Sequence, residues 1–363
     1  MNLLKRFLLL TLSMVLAISL AACSNSDKSS SEDAKSGAES EAKTQDLEEK
    51  LVIYSTHGED MLEVVADGFT EKTGVEVEFI NLKGELADRV RAEKENPQAD
   101  IMYGGASSLF ITMAEEDLFE STKPSWEESL DAKFKDSEGR WFGVMQTPVV
   151  MFYNNEALSE EEAPKSWADL ADPKYKDMIV SRDYVSSSQR ATIVSLLDYY
   201  SSNSSFEEGV EYLKQLDQNT KNYYGSGSLH FQAVGKSEAP ISYGVLSSIT
   251  DNVNNNGMPL TMIDAEEGSI VLTDAIAAIK NSPHPNAAAA FIDYAGSEEV
   301  QVKLANEFDR MPTLAEAVKQ GPEWMQTPLK EMDINWGNVA KNELEWLNLW
   351  DTEIRDSGKD IAE

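Results

Sequence analysis

Cysteine occurs once in 363 residues. A lone thiol excludes a disulfide framework and any multi-thiolate zinc or iron–sulfur centre. Histidine is nearly as scarce, and His57, His230 and His284 are too scattered for a helical HExxH metal site. There is no GxSxG motif, no workable Ser/His/Asp order and no GxxxxGK[ST] phosphate loop. The chain is therefore expected to be no enzyme and to carry no cofactor or resident metal. Basic residues are in the minority, 31 against 64 acids, for a net charge of −33. Nucleic-acid binding relies on Lys and Arg neutralising phosphates, so that class is excluded as well. Long apolar runs are also missing: the best, residues 7–20, covers fourteen positions, against the roughly 20 a membrane-crossing helix needs.

That short run follows Lys5 and Arg6, the arrangement of an export signal over residues 1–22. Leu20-Ala21-Ala22-Cys23 closes it and resembles the lipobox of secreted bacterial lipoproteins. The resemblance implies cleavage before Cys23, a lipid on its thiol and an anchor on the outer face of the cell membrane. Loss of the two positive charges in residues 1–22 would take the mature chain to about −35. Residues 24–47 hold seven Ser and nine charged residues without an aromatic. Such a stretch buries too little apolar surface to offset its ordering entropy, so 23–47 reads as a disordered tether.

Beyond the tether, strand-like and helical periodicities alternate. Residues 50–55 (KLVIYS) form a strand, 61–69 recur at helical spacing, and Gly74 stands where a helix ends. Residues 75–81 and 99–103 (ADIMY) are further strands, with helices over 85–94 and 109–114. This β-α-β-α-β-α order predicts a parallel sheet covered by helices. Residues 139–144 and 147–154 read as an antiparallel pair, and 267–280 as another pair of strand-like runs. Strands are expected at 178–181, 240–243 and 260–263, helices at 186–200, 206–216, 286–295 and 298–307, and a polar run at 251–256. From residue 322 on the chain reads as helical, with Trp346, Trp350 and Ile354 sharing one apolar face.

Several blocks in this order resemble the extracellular solute-binding proteins of bacterial ABC importers, the type II periplasmic-binding-protein family, including its ferric-iron and organophosphate binders. They are Leu51-Val52-Ile53-Tyr54-Ser55, Phe69-Thr70-Glu71-Lys72-Thr73-Gly74-Val75-Glu76-Val77 and Ala99-Asp100-Ile101-Met102-Tyr103-Gly104-Gly105, with Glu267-Gly268-Ser269, residues 287–294 (AAAAFIDY) and Ser297-Glu298-Glu299-Val300-Gln301 further on. The resemblance implies two α/β lobes joined by crossover strands, with a ligand cleft between them. Lobe 1 would comprise 48–145 plus 275–320, lobe 2 would be 146–274, and 321–363 would pack on the lobes as a helical segment. It further implies a monomer that hands a small-molecule ligand to a permease powered by a separate ATPase.

Ligands of open α/β sheets bind at the carboxyl ends of strands, beside helix starts. That rule selects Ser55, Thr56 and His57, then Gly105 and Ser107, then Ser187 and Ser188, and Gly227 and Ser228. Free N–H groups and small hydroxyls there suit an anion, although Ser and Gly also serve as plain helix caps. Arg182 and Arg310 can hold a phosphate or carboxylate, or can pair with some of the 64 acids. Tyr54, Tyr103 and Tyr153 are expected to pack, and Tyr243, at a strand end, to reach the cleft. The resemblance to ferric binders suggests a rival set, His57, Glu59 and Tyr243. It lacks the tandem tyrosine, because residue 244 is Gly and the Tyr223-Tyr224 pair stands one element too early. An organic phosphate, sugar phosphate or phosphonate is the favoured ligand, with ferric iron as the alternative and a polyamine or other solute third.

Overall fold

Apolar residues at both parities in the short strands call for a sheet buried on both faces, and the computed structural model shows that arrangement. It describes residues 47–82, 85–359 and 361–362. The export signal, Cys23 and nearly all of the expected tether lie outside the described residues. The strands are β1 (Lys50–Ser55), β2 (Glu76–Asn81), β3 (Ile101–Ala106), β4 (Phe119–Glu120), β5 (Phe142–Asn154), β6 (Ile179–Arg182), β7 (Thr220–Tyr224), β8 (Ile241–Val245), β9 (Leu260–Ile263), β10 (Ile270–Ile279), β11 (Met311–Pro312) and β12 (Ile361–Ala362). The helices are α1 (Glu59–Thr73), α2 (Leu86–Ala92), α3 (Ser107–Glu115), α4 (Ser187–Asn203), α5 (Phe206–Asn219), α6 (Gly227–Gly235), α7 (Leu246–Asn254), α8 (Pro285–Ala295), α9 (Glu298–Phe308), α10 (Ala315–Val318), α11 (Glu323–Gln326) and α12 (Trp336–Leu349). Among the described residues no helix is long and apolar enough to cross a membrane.

Alternation along each strand feeds two cores per half, one on each side of the sheet. On β1, Leu51 and Ile53 join Phe69, Tyr103 and Phe291, while Val52 and Tyr54 join Met102 and Phe110 on the opposite face. On β5, Met151 and Tyr153 join Trp167, Tyr243 and Trp350, while Val150 and Phe152 join Phe231 and Ile249. Trp346 and Ile354 are buried in the same core as Trp350.

Strand direction creates the cleft. β1, β2 and β3 are parallel to one another, as are β6, β7 and β8. Between these sets lie the long strands β5 and β10, antiparallel to each other. Since β10 opposes β3 and β5 opposes β8, the two parallel sets aim their carboxyl ends at each other. Register fixes the distance. Ala106, ending β3, pairs with Asp274, which pairs with Met145; Val245, ending β8, pairs with Val149, which pairs with Ile270. The interval from Met145 to Val149 on β5 spans about 13 Å at the rise of an extended strand, and it floors a gap onto which α1, α3, α4, α6 and α7 all open.

Four expectations change. The segment from residue 322 on is helical only in part, since residues 327–335 separate α11 from α12 and β12 pairs with β7. Residues 139–144 and 147–154 are not a pair: Phe142–Asn154 is a single strand that continues through Pro148. The two runs expected in 267–280 are likewise one strand, β10, with an irregularity between Asp274 and Ala275. The polar run at 251–256 belongs in part to α7, held by buried Leu246 and Ile249 one turn apart.

Candidate functional site

The first half contributes the turns after β1 and β3. Ser55 is fully buried; its hydroxyl donates to Tyr103 O (2.7 Å) and accepts the His57 N–H (3.1 Å), so it ties the two turns together and does not face the gap. Thr56 lies beside it, partly exposed. The His57 ring stands edge-on to Tyr103 at 4.8 Å between centroids. Burial holds its pKa down to about 4, with Asp274 pulling it up and Arg310 pushing it down. Burial also raises the Tyr103 phenol, again with Asp274 reinforcing and Arg310 opposing. Register brings Asp274 to the same strand end, opposite Ala106, and sets Arg310 one residue before the Met311–Gln146 pair. Gly104 and Gly105 follow with φ of +98° and +106°, a conformation glycine adopts at little cost, and Ser107, largely buried, opens α3.

Arg310 arrives from another element. Asp309, in a left-handed conformation, ends α9, and Met311 then pairs with Gln146 at the floor. Asp274 has its carboxylate Oδ2 hydrogen-bonded by Thr147 Oγ1 at 2.8 Å. Tyr103, Thr147 and Asp274 were not among the residues selected from sequence. One signal was legible: Asp274 is the single charge inside the apolar run of β10.

The second half contributes Arg182 at the end of β6. Its Nε donates to Tyr224 O (3.2 Å) and an Nη to Gly225 O (2.7 Å). Its guanidinium also lies against Gly227, where a Cβ would stand 3.0 Å from Nη1. The neighbouring Asp183 turns instead to Arg355, 3.7 Å away. Ser187 and Ser228 are exposed in the first turns of α4 and α6, and Ser188 Oγ lies 3.2 Å from Ser186 Oγ.

Capping and pairing were the competing roles for these groups. None of the five helices facing the gap has a side-chain hydrogen bond from its N-cap residue; elsewhere α5, α9 and α12 are capped by Ser205, Ser297 and Asn335, and α2, α8, α10 and α11 are not. Arg89, Arg91, Arg140 and Arg355 all contact carboxylates, whereas Arg182, Arg190 and Arg310 form no ion pair within 4 Å among the described residues, Arg190 lying instead in the field of Glu343.

Tyr243 corrects an expectation. It is 2 % exposed, packs against Trp167 and accepts a hydrogen bond from Gln189 Nε2 at 2.9 Å. Strand parity explains this, since on β8 it is Ser242 that faces His230 (2.5 Å) and Tyr243 that points into the opposite core. The rival set His57, Glu59 and Tyr243 is therefore not assembled: Glu59 is exposed on the first turn of α1, and Tyr243 is committed elsewhere. Tyr223 and Tyr224 donate to Asp217 (2.6 Å) and Glu238 (3.0 Å). Among the described residues no group of three His, Cys, Asp or Glu side chains could hold a metal ion.

Two α/β halves on crossover strands, with helix starts and unpaired guanidinium groups facing the gap between them, define a solute-binding protein. Residues 96–336 match the bacterial extracellular solute-binding protein family, and the chain belongs to it. It is similar to a probable ABC transporter periplasmic-binding protein, y4fP, of Sinorhizobium fredii, at 28% identity over 85% of this chain and 87% of that one. Among solved structures it resembles apo ferric ion-binding protein A of Pasteurella haemolytica, with a TM-score of 0.76 at 20% identity over 86% of this chain and all of the other. It also resembles AfuA of Actinobacillus pleuropneumoniae, solved with exogenous fructose-6-phosphate, with a TM-score of 0.70 at 26% identity over 84% and 98% of the two chains. The fold is that of type II periplasmic binding proteins, and the chain is an exported substrate-binding component of an ABC importer, not an enzyme.

Proposed function

We propose that this protein captures a small oxyanion-bearing solute, an organic phosphate, sugar phosphate or phosphonate, and delivers it to its permease as a monomer held to the membrane by a lipid on Cys23. The observation that carries the ligand class is the pair of guanidinium groups, Arg182 and Arg310. They stand on opposite sides of the gap and form no ion pair within 4 Å among the described residues, with Arg182 the one that has no carboxylate across from it in the gap. Ser187, Ser188, Gly227 and Ser228 add first-turn N–H groups and hydroxyls, which favour anions together with the helix dipoles. Ferric iron prefers anionic oxygen ligands, and the phenols near strand ends here are buried or already hydrogen-bonded.

Calorimetry with glycerol 3-phosphate and with ferric citrate tests this reading. The ester is expected to bind, Arg182→Gln to weaken it roughly 10- to 100-fold, and the pair Ser187→Ala, Ser228→Ala to weaken it less. Ester binding indifferent to all three substitutions, or tight ferric binding alone, would overturn the assignment. Membrane fractionation of Cys23→Ala, with the protein released to the soluble phase, tests the anchor.

A further inference from the structure

Four polar groups of the first half, two buried and two half-buried, lie at one end of the gap without satisfying one another. His57 Nε2, Tyr103 OH and Arg310 Nε are buried and lack hydrogen-bond partners among the described residues; the two rings are 4.8 Å apart, Asp274 pairs with Ala106 at the end of the strand that carries Tyr103, and Arg310 directly precedes Met311, which pairs with Gln146. His57 is 7 % exposed and Tyr103 fully buried, so bulk water does not compensate them. Buried polar atoms are normally paired, and three orphans at one spot mark the footprint of a polar ligand group.

The chemistry of that group follows from the mixture of charges. An anion would satisfy Arg310 but be repelled by Asp274. An ammonium would satisfy Asp274 and could donate to the Tyr103 oxygen or a neutral His57 nitrogen, but it would be repelled by Arg310 and leave that guanidinium without an acceptor. A hydroxyl both donates and accepts, and vicinal hydroxyls do so at adjacent points. The second half is different: among the described residues Arg182 forms no ion pair within 4 Å, the neighbouring Asp183 lies 3.7 Å from Arg355, and two uncapped helix starts adjoin it. Net positive potential therefore gathers at one end of the gap, with a charge-balanced, hydroxyl-matching cluster at the other.

We infer, building on the oxyanion reading above, that the cleft takes a polyhydroxylated monophosphate ester in a single orientation. Its phosphate lies on Arg182 and the starts of α4 and α6; its hydroxyls lie on Asp274, Arg310, His57 and Tyr103. Asp274 is thus the residue that separates a sugar phosphate from inorganic phosphate or an aminophosphonate.

Calorimetry on the full chain with glucose 6-phosphate, ribose 5-phosphate, inorganic phosphate and 2-aminoethylphosphonate tests this. At least one sugar phosphate is expected to bind roughly 100-fold more tightly than the other two probes. Asp274→Asn retains an acceptor oxygen for Thr147 and should cost the sugar phosphate roughly 10-fold or more while changing inorganic phosphate less than about 2-fold. Arg310→Gln should show the same selective loss, and serves if Asp274→Asn folds poorly; Arg182→Gln should weaken every phosphate. Preference for 2-aminoethylphosphonate, or equal losses for sugar phosphate and phosphate in Asp274→Asn, overturns the orientation but leaves the oxyanion reading standing. If no phosphate binds the unmodified chain, the oxyanion reading itself fails, and this inference with it.

Discussion

A Cβ on Gly104 would lie 2.6 Å from Thr56 Oγ1 and 2.7 Å from His57 Nε2, at a backbone φ of +98°. Gly74 also has a positive φ, +80°, but faces open space. The two glycines separate backbone strain from crowding. Gly74→Ala should cost about 1 kcal/mol, the strain of a left-handed residue, while Gly104→Ala adds displacement of the buried histidine and should cost about 2–4 kcal/mol. Urea unfolding of both variants measures this, and equal midpoints would mean that the His57 turn is pliable. The Gly104-Gly105 pair was visible in sequence as a strand-ending loop. Its partner was not, because the contact between residues 57 and 104 depends on β1 and β3 being neighbours in the sheet.

At the scale of elements, the parallel strands and the long helices were legible because period and punctuation agreed. The crossover strands were not. Pro148, which cannot donate to the ladder, reads as a break, and the stretch from Gly139 to Asn154 looks like two strands; tertiary pairing of Pro148 with Val271 carries β5 straight through. The tail shows the same limit. Its Trp spacing announced a buried face, but sequence could not say that α12 touches both α3 and α4. Thr112 donates to Ala340 O (3.3 Å), Asn338 donates to Asp198 on α4 (2.6 Å), and Glu343 accepts from Ser108 at 3.3 Å. Burial at this junction raises the Glu343 carboxyl above its ordinary 4.5, against the pull of Arg190 and Ser108. A carboxyl raised in the fold favours the native state below its unfolded pKa, and that contribution is lost as pH rises through the folded value. Glu343→Gln keeps an oxygen for Ser108 without the buried charge. It should melt higher than the unmodified chain at pH 8, with the difference closing below pH 4.5, the ordinary carboxyl value. A lower melting temperature at pH 8 would show that the Arg190 attraction outweighs desolvation.

Across the whole molecule, a net charge of −33 stands against an anionic ligand at first sight. Distance resolves the contradiction. Ion pairs engage many of the basic side chains on the surface, for example Lys50 with Glu78 and Arg91 with Glu116, so the far field is that of the excess acids. Within the gap, Arg182 and Arg310 form no such ion pair among the described residues, and the Arg182 end sets an attractive local potential. An approaching phosphate ester therefore crosses a repulsive outer field before it meets an attractive site. The outer field acts over a Debye length, about 30 Å at 0.01 M salt and about 10 Å at 0.1 M, whereas the contacts in the gap act at hydrogen-bond range and are screened far less. Raising monovalent salt from about 0.01 to 0.1 M should then speed association by roughly 3-fold or more, with dissociation changing little. Stopped-flow binding of the ester checks it. Association that slows with salt would instead mean that the two guanidinium groups govern the field well outside the cleft, and that the acidic surface shields the site less than its charge implies.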